Sequence, residues 1–316
     1  MKTLQPDYAF SPSLLDAFQR MVDTKAEDFF YKDEAGAWHL NWNETEETLH
    51  FSEEEVDALL KQEFIDKVNK VPEPPSEAAS KGTAFNEIVD CLVKKCKPSN
   101  PAIVIKTVRS GEDLYEARVR KLSYEADILG KDVMPETLQK EDSMAQFAKI
   151  GSPFIYAAID GFEFMYDKDF CLGAAEYFKD CICQYYTKSL IETSKGVVEL
   201  HGYIDYLRYD RLFDAKTTKQ YAFGNYQKKW QRYTYPFTLI ESGMMKDVTS
   251  FEFTIYVLKG GSSRTPLITG TQYKEAYTYD HEQARMMLTQ QCERVIEFLE
   301  ENRSLITNMK VFGQTE

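Results

Sequence analysis

Residues 196–218 read GVVELHGYIDYLRYDRLFDAKTT, and this stretch decides the fold. Val197 to Leu207 is rich in β-branched, aromatic and aliphatic residues and predicts a strand; Arg211 to Thr217 predicts a shorter partner. Tyr209 and Asp210 between them predict a two-residue hairpin loop, since Asp tolerates the backbone that such a turn requires. If Leu207 pairs with Leu212, Asp205 lies directly opposite Asp214, with Cβ atoms about 4.5–5.5 Å apart. Asp214 and Lys216 are two apart on one strand and share a face. Two opposed carboxylates repel; a divalent cation between them removes the repulsion, and Mg²⁺ takes one or two carboxylates together with several waters. An Asp-x-Lys alone is common and fits a solvated hairpin equally well.

The combination is more specific. Gly202-x-x-Asp205 followed by Phe213-Asp214-x-Lys216-Thr-Thr resembles the signature of the PD-(D/E)XK nuclease superfamily, in its RecB-like and phage-exonuclease branch. Upstream, the run from Gly82 to Glu87 resembles the first core helix of that family, which presents a metal-binding Glu. Downstream, Gln231-x-x-x-Tyr235 matches its Gln-x-x-x-Tyr motif. The three pieces occur in the family's order over roughly residues 80–258. The resemblance implies Asp205, Asp214, Lys216 and Glu87 as catalytic residues. It implies Mg²⁺, with Mn²⁺ able to substitute, on Glu87, Asp205, Asp214 and the Ala215 carbonyl. Gln231 and Tyr235 would contact a DNA strand. Where many RecB-like members carry His just before the Glu, this chain has Asn86, a poor substitute for an imidazole and a departure that bears on a second metal site.

Length and composition bound the rest. The 316 residues suffice for one large domain or two small ones, and 43% hydrophobic with 14% aromatic content supplies a core. No run approaches the ~18 apolar residues of a membrane span, and Met1 to Phe10 does not read as a secretory signal, so a cytoplasmic protein is expected. Six cysteines without a Cys-x-x-Cys pair predict reduced, mostly buried thiols, and their positions do not match the iron–sulfur pattern of some RecB-like relatives. Net charge is −13, unevenly spread. Residues 1–80 hold 18 Asp+Glu and 7 Lys+Arg, a net of −11, whereas residues 201–240 hold 3 and 7, a net of +4. A positive local field can meet phosphate in an acidic chain, and Lys228, Lys229 and Arg232 are candidate phosphate contacts.

Along the chain, Ser11-Pro12-Ser13 predicts a capped amphipathic helix. Trp38 and Trp42 stand in a loop or short strands, and Ser52 to Glu55 opens a helix with a capping-box pattern. Val71 to Pro75 breaks the chain. A third helix spans about Ser80 to Lys97. Ala102 to Val108 predicts a strand, Tyr115–Leu129 and Glu136–Lys149 helices, and Phe154–Ile159 with Phe162–Tyr166 a hairpin across Asp160-Gly161. Ala174 to Ser189, with aromatics at helical spacing, predicts a helix. Tyr221 to Ile240 predicts a helix interrupted at Pro236. Ser250–Leu258 alternates as a strand, Gly260-Gly261 turns, Ala276–Tyr279 is a short strand, and Asp280 caps a last helix to about Asn302.

The fold expectation is α/β in the α+β sense: a central mixed sheet flanked by helices, with a restriction-endonuclease-like core. An acidic N-terminal helical segment (1–75) packs on a nuclease domain (76–316) that carries an insertion at about 100–170. The functional expectation is Mg²⁺-dependent hydrolysis of DNA, exonuclease rather than endonuclease. Phage relatives that form rings around DNA make a homo-oligomer and a recombination partner protein compatible with the resemblance. The alternative is a non-catalytic acidic binding protein or DNA mimic, with residues 1–80 meeting a basic partner.

Overall fold

The computed structural model describes residues 5–25, 30–32, 38–40, 53–98, 100–127, 130 and 138–314. The expectations for Trp42, Ser52 and Glu136 lie outside these residues. Strand β1 (Tyr8–Phe10) leads into helix α1 (Pro12–Asp23), and β2 (Phe30–Lys32) pairs with β3 (Trp38–Leu40) apart from the main sheet. Helices α2 (Glu53–Val68) and α3 (Glu77–Lys94), strand β4 (Val104–Val108), and helices α4 (Gly111–Asp127) and α5 (Lys140–Ile150) follow. Next come the hairpin β5 (Phe154–Ile159) and β6 (Phe162–Asp167), then α6 (Lys168–Tyr177). Strands β7 (Ile182–Thr193), β8 (Gly196–Arg208) and β9 (Arg211–Thr218) precede α7 (Gln231–Glu241), and β10 (Ser250–Lys259), β11 (Leu267–Thr278) and α8 (His281–Glu301) close the chain.

Nine strands form one mixed sheet in the order β1-β8-β9-β10-β11-β6-β5-β4, with β7 on the remaining edge of β8; eight α-helices flank it among the described residues. This is the expected mixed α+β class. Local chemistry explains the ends. Ser11 caps α1 by accepting the Leu14 N–H, and Asp280 caps α8 by accepting that of Gln283. Asp160 and Gly161, both at positive φ, turn the β5–β6 hairpin.

The N-terminal segment belongs to the main core. Phe10, Leu15, Phe18, Phe64 and Val68 pack with Leu200, Val295 and Leu299, and β1 runs parallel to β8 in the sheet. The opposite face buries Phe85 and Ile88 of α3 against Tyr206, Phe213 and Tyr256. The 100–170 region supplies β4, β5 and β6, an edge joined to the rest where β6 meets β11. No helix among the described residues is long and apolar enough to cross a membrane. All six cysteines are free; Cys171 and Cys292 are buried and the other four are not.

Two expectations need correction. Ala174–Ser189 is not one helix: α6 stops at Tyr177, Asp180 takes φ +64°, and residues from Ile182 onward form β7. The long strand β8 needs a partner on its free edge, and Ile182, Tyr185, Tyr186 and Thr187 are β-formers, so pairing overrides the aromatic spacing. Likewise 221–230 is not helical; α7 starts at Gln231 and continues through Pro236 to Glu241. The N–H lost at Pro236 is outweighed by burial of Tyr235, Phe237 and Leu239 on this helix.

Candidate active site at a fork in the sheet

The expected hairpin forms in the expected register. Leu207 pairs with Leu212 and Tyr206 with Phe213, and Tyr209 turns the chain at φ +53°. There the β8–β9 ladder stops. β9 pairs in parallel with β10 from Arg211 to Thr218, while the same edge of β8 is taken up at residues 198–200 by β1. Strands β1 and β9 therefore leave a fork along β8, open from His201 to Asp205.

Asp205 sits at the apex. It does not pair with Asp214 through the backbone; its Oδ2 accepts the Ala215 N–H at 2.9 Å, in place of a ladder carbonyl. Strand alternation breaks at this residue. Ile204 packs with Tyr235 and Leu239 of α7, whereas Tyr206 packs on the other side against Phe178, rings stacked 3.7 Å apart. Across from Asp205, Gln184 of β7 adopts φ +54°, a conformation costly for a side-chain-bearing residue in a strand. Its Nε2 donates to Asp205 Oδ1 at 3.2 Å.

The second carboxylate lies beside the first. Asp214 is 4% exposed, and its Oδ2 meets Lys216 Nζ at 2.6 Å without a hydrogen bond of normal angle. Burial, and next the charge of Asp214, push the Asp205 carboxyl up to about 7. Burial pulls the Lys216 ammonium down, but Asp214, Asp205 and Asp16 outweigh it and raise it above the ordinary lysine value.

Helix α7 closes the fork. A Cβ at Gly202 would lie 2.8 Å from the Tyr235 ring, so glycine is what lets that ring sit against β8. Burial raises the Tyr235 hydroxyl's pKa, helped by the charges of Asp214, Asp205 and Asp16. Gln231 lies one turn earlier on α7. With its amide oriented to suit its neighbours, Oε1 accepts from Lys216 Nζ and Nε2 donates to Asp16 Oδ2, each at 3.2 Å. Asp16, on α1, also accepts the Trp230 N–H at 2.8 Å and meets Lys229 at 3.6 Å. The Gln-x-x-x-Tyr motif thus holds the lysine and covers the fork.

Asp214, Lys216 and Asp90 act on Asp205 electrostatically, and Glu87 acts on Asp90 and Cys91 of its own helix. On α3, Gly82 abuts Thr217 and Asp90 accepts the Tyr206 hydroxyl at 2.6 Å. Asn86, midway between them at i+4, shares that face toward the hairpin, and its Oδ1 is buried without a hydrogen-bond partner. Lys228 pairs with Asp23 at 3.2 Å, and Arg232 stacks on Tyr233 and Tyr277. Sequence reading missed Asp16, Gln184, Asp90 and the orientation of Asn86. Asp16 and Gln184 meet the site only through tertiary packing, but the Gly82-x-x-x-Asn86 spacing pointed to Asn86.

Among the described residues no three His, Cys, Asp or Glu side chains gather as a metal cage. The donor set still fits Mg²⁺, which takes one or two carboxylates and keeps several waters. Asp205 and Asp214 supply the carboxylates, and the buried oxygens of Asp214 and Asn86 lack hydrogen bonds of normal geometry. Asp205, Gln231 and Tyr235 line a cavity of about 990 Å³ that opens the fork to solvent.

No family model matches the chain, and no curated protein does. A solved structure described as "Crystal structure of SSO0001" aligns at 14% identity over 68% of this chain and 88% of that chain, with a TM-score of 0.27, too low to carry an argument about fold or function.

Proposed function

We propose that this chain is a Mg²⁺-dependent deoxyribonuclease of the PD-(D/E)XK type, acting as an exonuclease. One observation supports the reading above the rest. Asp205, Gln231 and Tyr235, all named by the motif pattern, line one solvent-connected cavity, and Gln231 contacts Lys216, which meets Asp214. Two juxtaposed carboxylates, one of them pushed up to about 7, want a cation or a proton between them. Asp205 and Asp214 would hold the metal, with Glu87 and the Ala215 carbonyl from the motif pattern; the buried Asn86 Oδ1 of α3 is a further oxygen without a hydrogen bond. When bound, Mg²⁺ supplies Lewis acidity toward a phosphoryl oxygen and lowers the pKa of a water.

The chain's own groups do the rest. Lys216 keeps its proton because three carboxylates surround it, so it stabilises charge developing on the phosphate and orients the attacking water. Gln231 gives the ammonium a second acceptor beside Asp214. Tyr235 excludes solvent from the back of the fork. Asp16 is a positioning residue acting through Gln231. Asp16→Ala is expected to lower turnover about 10- to 100-fold, as losses of such supporting partners do, and to move the alkaline limb of the pH–rate profile down, because one carboxylate that raises Lys216 is gone. Asp16→Asn, which keeps an acceptor for the Trp230 N–H, should recover part of the rate but not the limb.

The deciding experiment is degradation of end-labelled single-stranded, blunt duplex and circular DNA with MgCl₂ against EDTA. Loss of linear but not circular DNA, only with metal, is expected. No degradation of any substrate, with no heat on calorimetric titration of Mg²⁺ or Mn²⁺, favours the acidic binding protein instead.

A further inference from the structure

The cavity at the fork extends well beyond the carboxylates, over the exposed face of the β7–β8 ribbon. Glu199, His201 and Tyr203 alternate along β8, and Lys188 and Tyr186 stand across from the last two, so all five share one face. Tyr186 and Tyr203 are directly paired, their ring centroids 5.0 Å apart at 52°, yet they are 45% and 57% exposed. Two large π-surfaces held side by side in solvent are not doing core work. Around them stand Lys67, Lys70, Lys188 and Lys310, against the two lining carboxylates Glu199 and Asp205. Lys188 pairs with Glu199 at 2.9 Å and Lys67 with Glu73 at 3.5 Å, and the four lysines against two carboxylates still leave the lining at a net of +2 on a chain of net charge −13. The N-terminus of α1, with Ser11 and Ser13, opens onto it as well.

Resting on the nuclease reading of the fork, we propose that this groove takes an unpaired polynucleotide strand, with bases stacked on Tyr203 and Tyr186 and phosphates on Lys67, Lys70 and Lys188. Stacking on aromatic side chains beside a positive groove is how single strands are held without sequence preference, because every base has an exposed face only when unpaired. Tyr203 is two residues from Asp205 along β8, about 7 Å, the rise of roughly two stacked nucleotides. A strand lying on the platform therefore delivers a phosphodiester to the fork. The substrate enters the site single-stranded, and a duplex end must open before it is cut.

The test is binding, measured in EDTA so that hydrolysis plays no part. Oligodeoxynucleotides carrying 2-aminopurine are titrated with the full chain, following both anisotropy and quenching. Matched duplex, an oligoribonucleotide and polyglutamate are the comparison probes. Single strands are expected to bind more tightly than duplex and to show quenching. Tyr203→Ala and Tyr186→Ala should each weaken single-strand binding roughly 5- to 150-fold and abolish quenching, while Tyr203→Phe retains both. Lys67→Ala and Lys70→Ala should each reduce the salt slope by about 0.7. The DNA and RNA probes tell which polynucleotide fits better. Both tyrosines are exposed, so thermal melts of the variants should match the wild type. Unchanged single-strand binding and quenching in the folded double alanine variant overturns the platform, as does tighter binding of duplex or polyglutamate. These readouts stand apart from catalysis: an inactive protein that loses stacking on Tyr203→Ala keeps the platform and drops the nuclease, and an active one that binds regardless does the reverse.

Discussion

Asp214→Asn and Lys216→Gln are each expected to lower Mg²⁺-dependent DNA hydrolysis by at least about 10²–10³-fold, the effect of removing one group that stabilises charge in the transition state. The reason lies in how Lys216 is held. Its ammonium sits between Asp214 Oδ2 at 2.6 Å and Gln231 Oε1 at 3.2 Å, with the Phe253 ring beneath. Asp214→Asn keeps the shape and removes the charge that anchors Lys216 and one carboxylate of the metal seat. Lys216→Gln puts a neutral amide in much of the same space and removes the cation. Alanine at either place is a poorer test, since it removes the hydrogen-bonding group and opens a cavity as well as removing the charge, and so confuses unfolding with inactivity. The check is the initial rate of nucleotide release, with circular dichroism melts showing that each variant is folded. A folded Asp214→Asn protein that hydrolyses DNA at the wild-type rate ends the assignment.

Much of this site was legible because it is local. The 196–218 hairpin has its register set by a two-residue turn, so Asp205, Asp214 and Lys216 could be brought together on sequence spacing alone. Gln231 and Tyr235 are one helical turn apart and needed only a helix. The rest depends on packing. Asp205 takes the Ala215 N–H with its side chain because the β8–β9 ladder ends at Tyr206 and Phe213 while β9 runs on beside β10, and no spacing rule anticipates where a ladder ends. Asp16 is more than two hundred residues from Gln231 in sequence. Gln184 and Tyr186 were hidden by aromatics whose spacing suits a helix as well as a strand; the free edge of β8 decided between them. Asn86 shares the face of α3 that meets the hairpin with Gly82 and Asp90, an i, i+4 spacing present in the sequence but without meaning until the helix is docked.

The geometry of the fork also sets its stability against pH. Burial, then Asp214, hold Asp205 at about 7 in the folded chain, against an ordinary value of 3.8. Between those values the folded state binds the extra proton, so stability must fall as pH rises from about 4 to 7 and then level off. Asp205→Asn removes the titration. The variant's amide oxygen can still accept the Ala215 N–H, and the Gln184 amide can turn its oxygen toward the new NH₂. In EDTA, Asp205→Asn is therefore expected to be more stable than wild type at pH 8 and about equal at pH 4.5, while inactive at both. Adding MgCl₂ at pH 8 should restore the wild type, by about 2.7 kcal/mol at a hundredfold excess over Kd, and leave the variant nearly unmoved. Urea denaturation at the two pH values, with and without metal, measures all four quantities. A variant that is less stable than wild type at pH 8 in EDTA, or that gains as much from Mg²⁺, would show that the two carboxylates neither repel nor share a cation.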